Sequence, residues 1–232
     1  MKMVKWRGSR QADRRRLMNN QLWAVAEERL GCAGHDMSHV RRVYARAMKL
    51  CGHFPECDKE VLSDAVILHD IARLEEDHDP AGCIDHAALG AELSRGILRE
   101  HGRSEAHIGK VAECIAAHRY RSAGEKPASI EAKILFDADK LDCLGAVGVA
   151  RMYMLSGQYG EQLYIAPPED LEMTGHAPRI SDFSQYSPNL EYLLKMRFVP
   201  ARLFTEPAKE IAAVLMARMD RFFEELREEL DV

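Results

Sequence analysis

The chain has 232 residues, 47% of them apolar and 30% charged, and its 32 basic against 37 acidic side chains give a formal charge of −5. This balance excludes a disordered tail, a collagen-like repeat and a disulfide-dominated miniprotein, and it supplies no overall basic field for nucleic acid. Threonine occurs only twice, at Thr174 and Thr205, amid abundant Ala, Leu, Glu and Arg, so an all-α protein of one domain is expected.

In chain order, residues 1–34 read as a basic arm running into a first helix. The opening MKMVKWRGSRQADRRR has no apolar segment behind its charges. A solvated arm is therefore expected in place of a secretory signal, with a weak organellar targeting sequence as the alternative. Apolar periodicity puts the first helix at 11–30, ending at Gly31. A second opens after Asp36, a good N-cap residue, and carries Val40, Val43, Ala47 and Leu50 on one face. A third is expected at 58–71, then a polar loop at 75–82, a fourth helix at 86–102 and a fifth at 105–119. After Gly124 and Pro127 the period runs unbroken, which predicts one long helix at 130–155. The stretch 157–188 holds Pro167, Pro168, Pro178 and Pro188 and no sustained period; it is expected to be a lid or an exposed, disordered insertion. Two helices at 189–198 and 207–230 finish the chain, the last with Ile211, Leu215, Met219, Phe222, Leu226 and Leu230 on one side.

No apolar run approaches the roughly 20 residues of a bilayer span, so no membrane association is expected. The cysteines, Cys32, Cys51, Cys57, Cys83, Cys114 and Cys143, form no C-x-x-C pair. Free thiols and a reducing cytoplasm are the default.

Three His-Asp dipeptides stand in different settings. His78-Asp79 lies in a polar loop, and His35-Asp36 begins a helix that Asp36 caps. His69-Asp70 follows the apolar run Ala65-Val66-Ile67-Leu68, where an adjacent imidazole and carboxylate are costly to bury without partners. Other polar residues also sit on apolar stripes. His39 lies beside Val40, His86 leads Leu89, Leu93 and Ile97, and His118 continues Ile108, Val111 and Ile115. Asp139 and Asp142 lie among Leu135, Ala138, Leu141 and Leu144. Each histidine alone reads as a satisfied core residue; together they read as ligands of a metal inside a helical bundle. Nitrogen and oxygen donors without thiolate suit manganese, iron, nickel or zinc.

The order of these residues resembles the H…HD…D signature of the HD-domain superfamily. The similarity is to its branch of uncharacterised bacterial and archaeal HD hydrolases. HDMSHVRRV at 35–43, LHDIAR at 68–73, DHAALG at 85–90 and DADKLDCLGAVGVAR at 137–151 carry it, with EYLLKMRFVPARLFTEPAKEIA near the C-terminus. The resemblance implies an HD-type helical bundle with the metal in its core. Residues 35–157 would form that core, 158–188 the irregular lid or loop, and 189–232 helices packed on it. It implies that His39, His69, Asp70 and Asp139 hold a divalent ion (Mn, Fe, Ni, Zn or Mg). His86 and His118 match ligands of a second ion bridged by Asp70, so one or two ions per chain are expected.

The activity implied is metal-dependent hydrolysis of a phosphate ester or anhydride, of a nucleotide or a similar small phosphorylated metabolite. Lys140, Arg73, Arg119 and Arg121 are candidates for binding phosphate charge. Asp70, Lys140, Arg73, Glu75 and Glu76 are the candidate catalytic groups. The two glutamates could act as general acid or base or simply face solvent, and Asp142 is expected to orient a ligand or Lys140. A mixed-valent di-iron oxygenase with the same residue order is the alternative, followed by a non-catalytic ligand-binding module. A small phosphorylated substrate is the expected partner, a homodimer is left open, and neither nucleic acid nor a membrane is expected.

Overall fold

The computed structural model describes residues 19–30, 36–119, 126–173, 175 and 182–230. The basic arm, the start of the expected helix 11–30 and its Gly31 end, Cys32, His35, Arg121, Gly124 and part of the proline-rich segment lie outside the described residues. Among those described, regular structure is helical throughout, with no β-strand. No helix there is long and apolar enough to cross a membrane. The chain groups into two units, one ending at Leu135 and the other beginning at Phe136.

In the first unit, α1 (19–29) precedes α2 (Met37–Cys51), which Asp36 caps by accepting from the N–H groups of Ser38 and His39. Asp58 caps α3 (Lys59–Leu68) in the same way. Every α3 residue from Val61 to Leu68 is buried. A helix apolar on most of its faces belongs in a core, and α3 packs against both α2 and α6. It stops three residues earlier than the sequence period suggests, so His69 and Asp70 sit in the turn that follows it. The expected loop at 75–82 begins instead as a short helix, α4 (Arg73–Asp77). Beyond it, Asp79 accepts from the N–H groups of Ala81, Cys83 and Ile84 and so orders the loop. Asp85 then caps α5 (His86–Glu100), and Ser104 caps α6 (Glu105–Ala116).

The expected long helix breaks in two. α7 (Ile130–Asp142) ends in a turn, and α8 (Gly145–Tyr159) starts afresh. Gly145 has φ +69°, and a Cβ there would lie 2.8 Å from Leu215 Cδ2. At Gly148 a Cβ would fall 2.1 Å from the Cys143 carbonyl oxygen, so only glycine lets the new helix start this close to the old one.

In the second unit α8 packs on α11 (Glu206–Glu229). Buried Asp137 fixes the start of α11, accepting from Phe204 N, Thr205 N and Thr205 Oγ1. The buried face of α11 is Ala208, Ala212, Met219 and Phe223; Phe222 and Leu230, expected to be inside, are 37% exposed. Between them lie α9 (Pro188–Leu194) and the short α10 (Val199–Arg202). The described part of the proline-rich segment is tied down. Ile165 and Leu171 pack on Tyr186, Leu190 and Leu194, and Asn189 bonds both N and O of Ile165.

Candidate metal centre

Five buried side chains of the first unit converge. His39 comes from α2, His69 and Asp70 from the turn after α3, His86 from the first position of α5, and His118 from just beyond α6. They form two groups that share Asp70: His39, His69, Asp70 and Asp70, His86, His118. Asp70 Oδ2 lies 3.5 Å from His39 Nε2 and 3.4 Å from His69 Nε2, and those two nitrogens are 3.4 Å apart. Asp70 Oδ1 lies 3.5 Å from Nε2 of both His86 and His118, which are 3.2 Å from each other.

Hydrogen bonds on the far side of the rings set the tautomers. His69 Nδ1 donates to Val66 O at 2.8 Å, His118 Nδ1 to Ile115 O at 2.5 Å, and His86 Nδ1 to Glu76 Oε2 at 2.6 Å. Each of these rings turns Nε2 toward Asp70, where its neutral form would offer a lone pair to an ion. Nε2 of His86 and Nε2 of His118 converge beside Asp70 at 3.2 Å, the closeness expected of two donors to one ion. Donor atoms about 2.1 Å from a common ion at tetrahedral angles lie about 3.4 Å apart, which matches the spacing of both groups. The donor set fits a divalent metal ion.

Without an ion, protons on the rings take its place: burial works against the Asp70 charge, but the charge of His69 and hydrogen bonds from His118, His39 and His69 outweigh it and hold the carboxyl well below the usual range. Burial, helped by His86 and His69 and opposed by Asp70, lowers His118 to about 4, so its ring is neutral near pH 7.

Around His86 lies a second layer of charge. Glu76 accepts from Arg73 Nη1 at 3.0 Å and pairs with Arg119 Nη2 through its other oxygen. Arg73 also meets Asp77 at 3.4 Å, and Arg119 meets Asp85 at 2.8 Å. Partial burial raises Glu76, but His86, Arg73 and Arg119 together lower it to about 2. Glu75 pairs instead with Arg29 on α1, at 3.5 Å.

Asp139 and Lys140 belong to the second unit, where Asp139 is buried and its Oδ2 accepts from Lys140 Nζ at 2.7 Å. The other aspartates of that helix are occupied: Asp137 holds α11, and buried Asp142 accepts from Arg151 Nη1 at 3.0 Å. Arg151 is thus a partner of Asp142. Sequence reasoning missed this pair and the Glu76–His86 bond. The only available signal for Arg151 was its place at the end of the DADKLDCLGAVGVAR string.

The sequence profile of the HD domain matches residues 37–144. The chain is 31% identical over 135 residues to the uncharacterised protein YpgQ of Bacillus subtilis (strain 168). That stretch is 57% of this chain and 62%, less than two thirds, of YpgQ. The crystal structure of YpgQ in complex with ADP superposes with a TM-score of 0.68 at 21% identity, covering 91% of this chain and 97% of YpgQ. An HD-superfamily hydrolase from Bacillus thuringiensis superposes with a TM-score of 0.67 at 25% identity, covering 95% and 98%. A predicted HD superfamily hydrolase from an uncultured Thermotogales bacterium gives 0.61 at 24% identity, covering 91% and 92%. With the H…HD order and the cluster that His39, His69, Asp70, His86 and His118 build, the profile match gives residues 37–144 an HD domain.

Proposed function

We propose that this protein is a metal-dependent phosphohydrolase acting on a nucleotide or a similar small phosphorylated metabolite. The observation that carries the reading is the pair of donor groups meeting on one carboxylate, with Nε2 of His86 and of His118 converging at 3.2 Å. Divalent ions bound there would acidify a water and polarise a phosphoryl oxygen.

The protein's own groups divide the remaining work. Asp70 gives one oxygen to each histidine pair, while Glu76 fixes the ring of His86 and so acts as a positioning residue. Arg73 and Arg119, both anchored through Glu76, place positive charge beside the cluster where phosphate oxygens would be met. The DADK motif implies a ligand role for Asp139 and a cation role for Lys140. The hydrolase character of the Bacillus thuringiensis relative and the ADP held by YpgQ support a phosphorylated, nucleotide-like substrate.

Elemental analysis of protein purified without added metal or chelator, then a panel of nucleotides and phosphate esters with that metal, tests the proposal. Phosphate or pyrophosphate release that proceeds equally well without oxygen is expected. Oxygen consumption by iron-loaded protein, with the phosphorylated panel inert under several metals, would transfer the site to oxygenase chemistry.

A further inference from the structure

Cys51 is the last residue of α2, and Cys57 directly precedes the Asp58 cap of α3. The turn between them is closed by bonds from Gly52 N to Lys49 O, His53 N to Leu50 O, Phe54 N to Cys51 O and Cys57 N to Phe54 O. Most of that turn is exposed, while both cysteines are buried beneath it, at 1% and 8% exposure. The chain reversal brings the sulfurs together, and Cys51 Sγ donates to Cys57 Sγ at 2.7 Å. A disulfide needs about 2.05 Å between sulfurs, so a shift of less than about 1 Å brings them to bonding distance. Neither cysteine belongs to the two histidine groups, and the metal-site reading leaves the pair without a role.

We propose that Cys51 and Cys57 form a reversible dithiol–disulfide site, oxidised by a low-molecular-weight disulfide of the glutathione class. The thiolate of Cys57, the more exposed of the two, attacks one sulfur of that disulfide and expels a small thiolate, which takes a proton from solvent. The Cys51 sulfur, giving up its proton, then attacks Cys57 Sγ and expels the second small thiol. One external S–S bond and two protein S–H bonds are exchanged for one protein S–S bond and two external S–H bonds, a two-electron oxidation of the protein. Burial, Cys51 itself and the charges of Glu131 and Asp58 hold the Cys57 thiol above its ordinary range. Exchange is therefore slow, and so are alkylation and over-oxidation, which also need thiolate. The pair answers a sustained change in the thiol pool and ignores a brief one. Once formed, the bond staples the end of the helix that carries His39 to the start of the helix that leads into His69 and Asp70.

The test stands apart from the hydrolase reading. Full-length protein is equilibrated in glutathione buffers of graded oxidised-to-reduced ratio, quenched with N-ethylmaleimide without reductant, and digested with trypsin. Cleavage after Lys49 and Lys59 leaves both cysteines on one peptide, 50–59. Expected is a single two-electron transition in which this peptide loses two hydrogens and takes up no maleimide. Exposed Cys83 should carry glutathione instead. The native protein should form the bond at least about tenfold more favourably than the synthetic peptide 50–59. A native pair no more readily oxidised than the peptide, or Cys57 linked to any other cysteine, overturns the proposal. Cys51→Ser should leave Cys57 on a protein disulfide-free peptide. If that variant does not fold, the wild-type titration, with helical circular dichroism recorded at each ratio, decides alone.

Discussion

Glu76 accepts a hydrogen bond from Nδ1 of His86 at 2.6 Å, and this contact settles which nitrogen of His86 faces Asp70. A carboxylate behind a ligand histidine fixes the tautomer and makes the opposite nitrogen a better donor. Arg73 bonds the same oxygen of Glu76 and itself lies 3.2 Å from His86 Nδ1, while Arg119 holds the other oxygen, so three charged side chains fix the ring.

Glu76→Gln should therefore weaken metal binding by about 10–100-fold at the His86–His118 group. Binding at the His39–His69 group should persist. Titration of metal-free protein by calorimetry would resolve the two events, and an unchanged weaker event would remove Glu76 from the positioning role.

Asp70→Asn should abolish binding at both groups, since one carboxylate serves each of them. Substituting His86 and His118 together with Ala should remove one ion and leave the other. Elemental analysis alongside circular dichroism checks both variants. Full metal content in folded Asp70→Asn protein would refute the shared-carboxylate site.

Asp137→Ala should destabilise the fold by about 2–4 kcal/mol. It removes a buried carboxylate that satisfies Phe204 N, Thr205 N and Thr205 Oγ1 at the start of α11. Urea denaturation measures the loss, and metal content at low temperature should be unchanged.

Cys114 sets a pH dependence. Burial, with smaller contributions from Glu131 and Glu113 and against the Ser129 bond, pushes its thiol up from 9.0 to about 12. Below 9 the thiol is protonated in folded and unfolded chains alike, so its contribution to stability is flat there. As pH rises from 9 toward 12 the unfolded chain ionises first, and the fold loses stability. At pH 8 iodoacetamide should label exposed Cys83 well before Cys114, and mass mapping of the native protein would show the order.

Much of the first unit was legible because its signals are local. The unbroken apolar run before His69 and Asp70 marks a buried helix, and the caps Asp36 and Asp58 are single-residue cues. The errors arose where period alone could not decide. The apolar period of LDCLGAVGV runs straight through the break at Gly145, and only the close approach of Cys143 O to Gly148 reveals a new helix. Arg73–Asp77 has too little apolar face to register as helical. On α11, spacings of three and four admit either Phe222 or Phe223, and the fold buries Phe223. The Glu76–His86 bond crosses a loop, where no spacing rule applies.

Asp70 is the one carboxylate in the two ligand groups, and Glu76 already has its charge matched by Arg73 and Arg119. The two groups loaded with two dications would thus hold four positive charges against one negative. Such a centre is incomplete until a polyanion enters. Its affinity for the second ion should depend on what else is bound. Inorganic phosphate should tighten that step by about 5–150-fold, where chloride at equal ionic strength does not. By reciprocity the same centre, stripped of its second ion, should release phosphate more easily by the same factor, so metal supply would govern how long a bound phosphate stays.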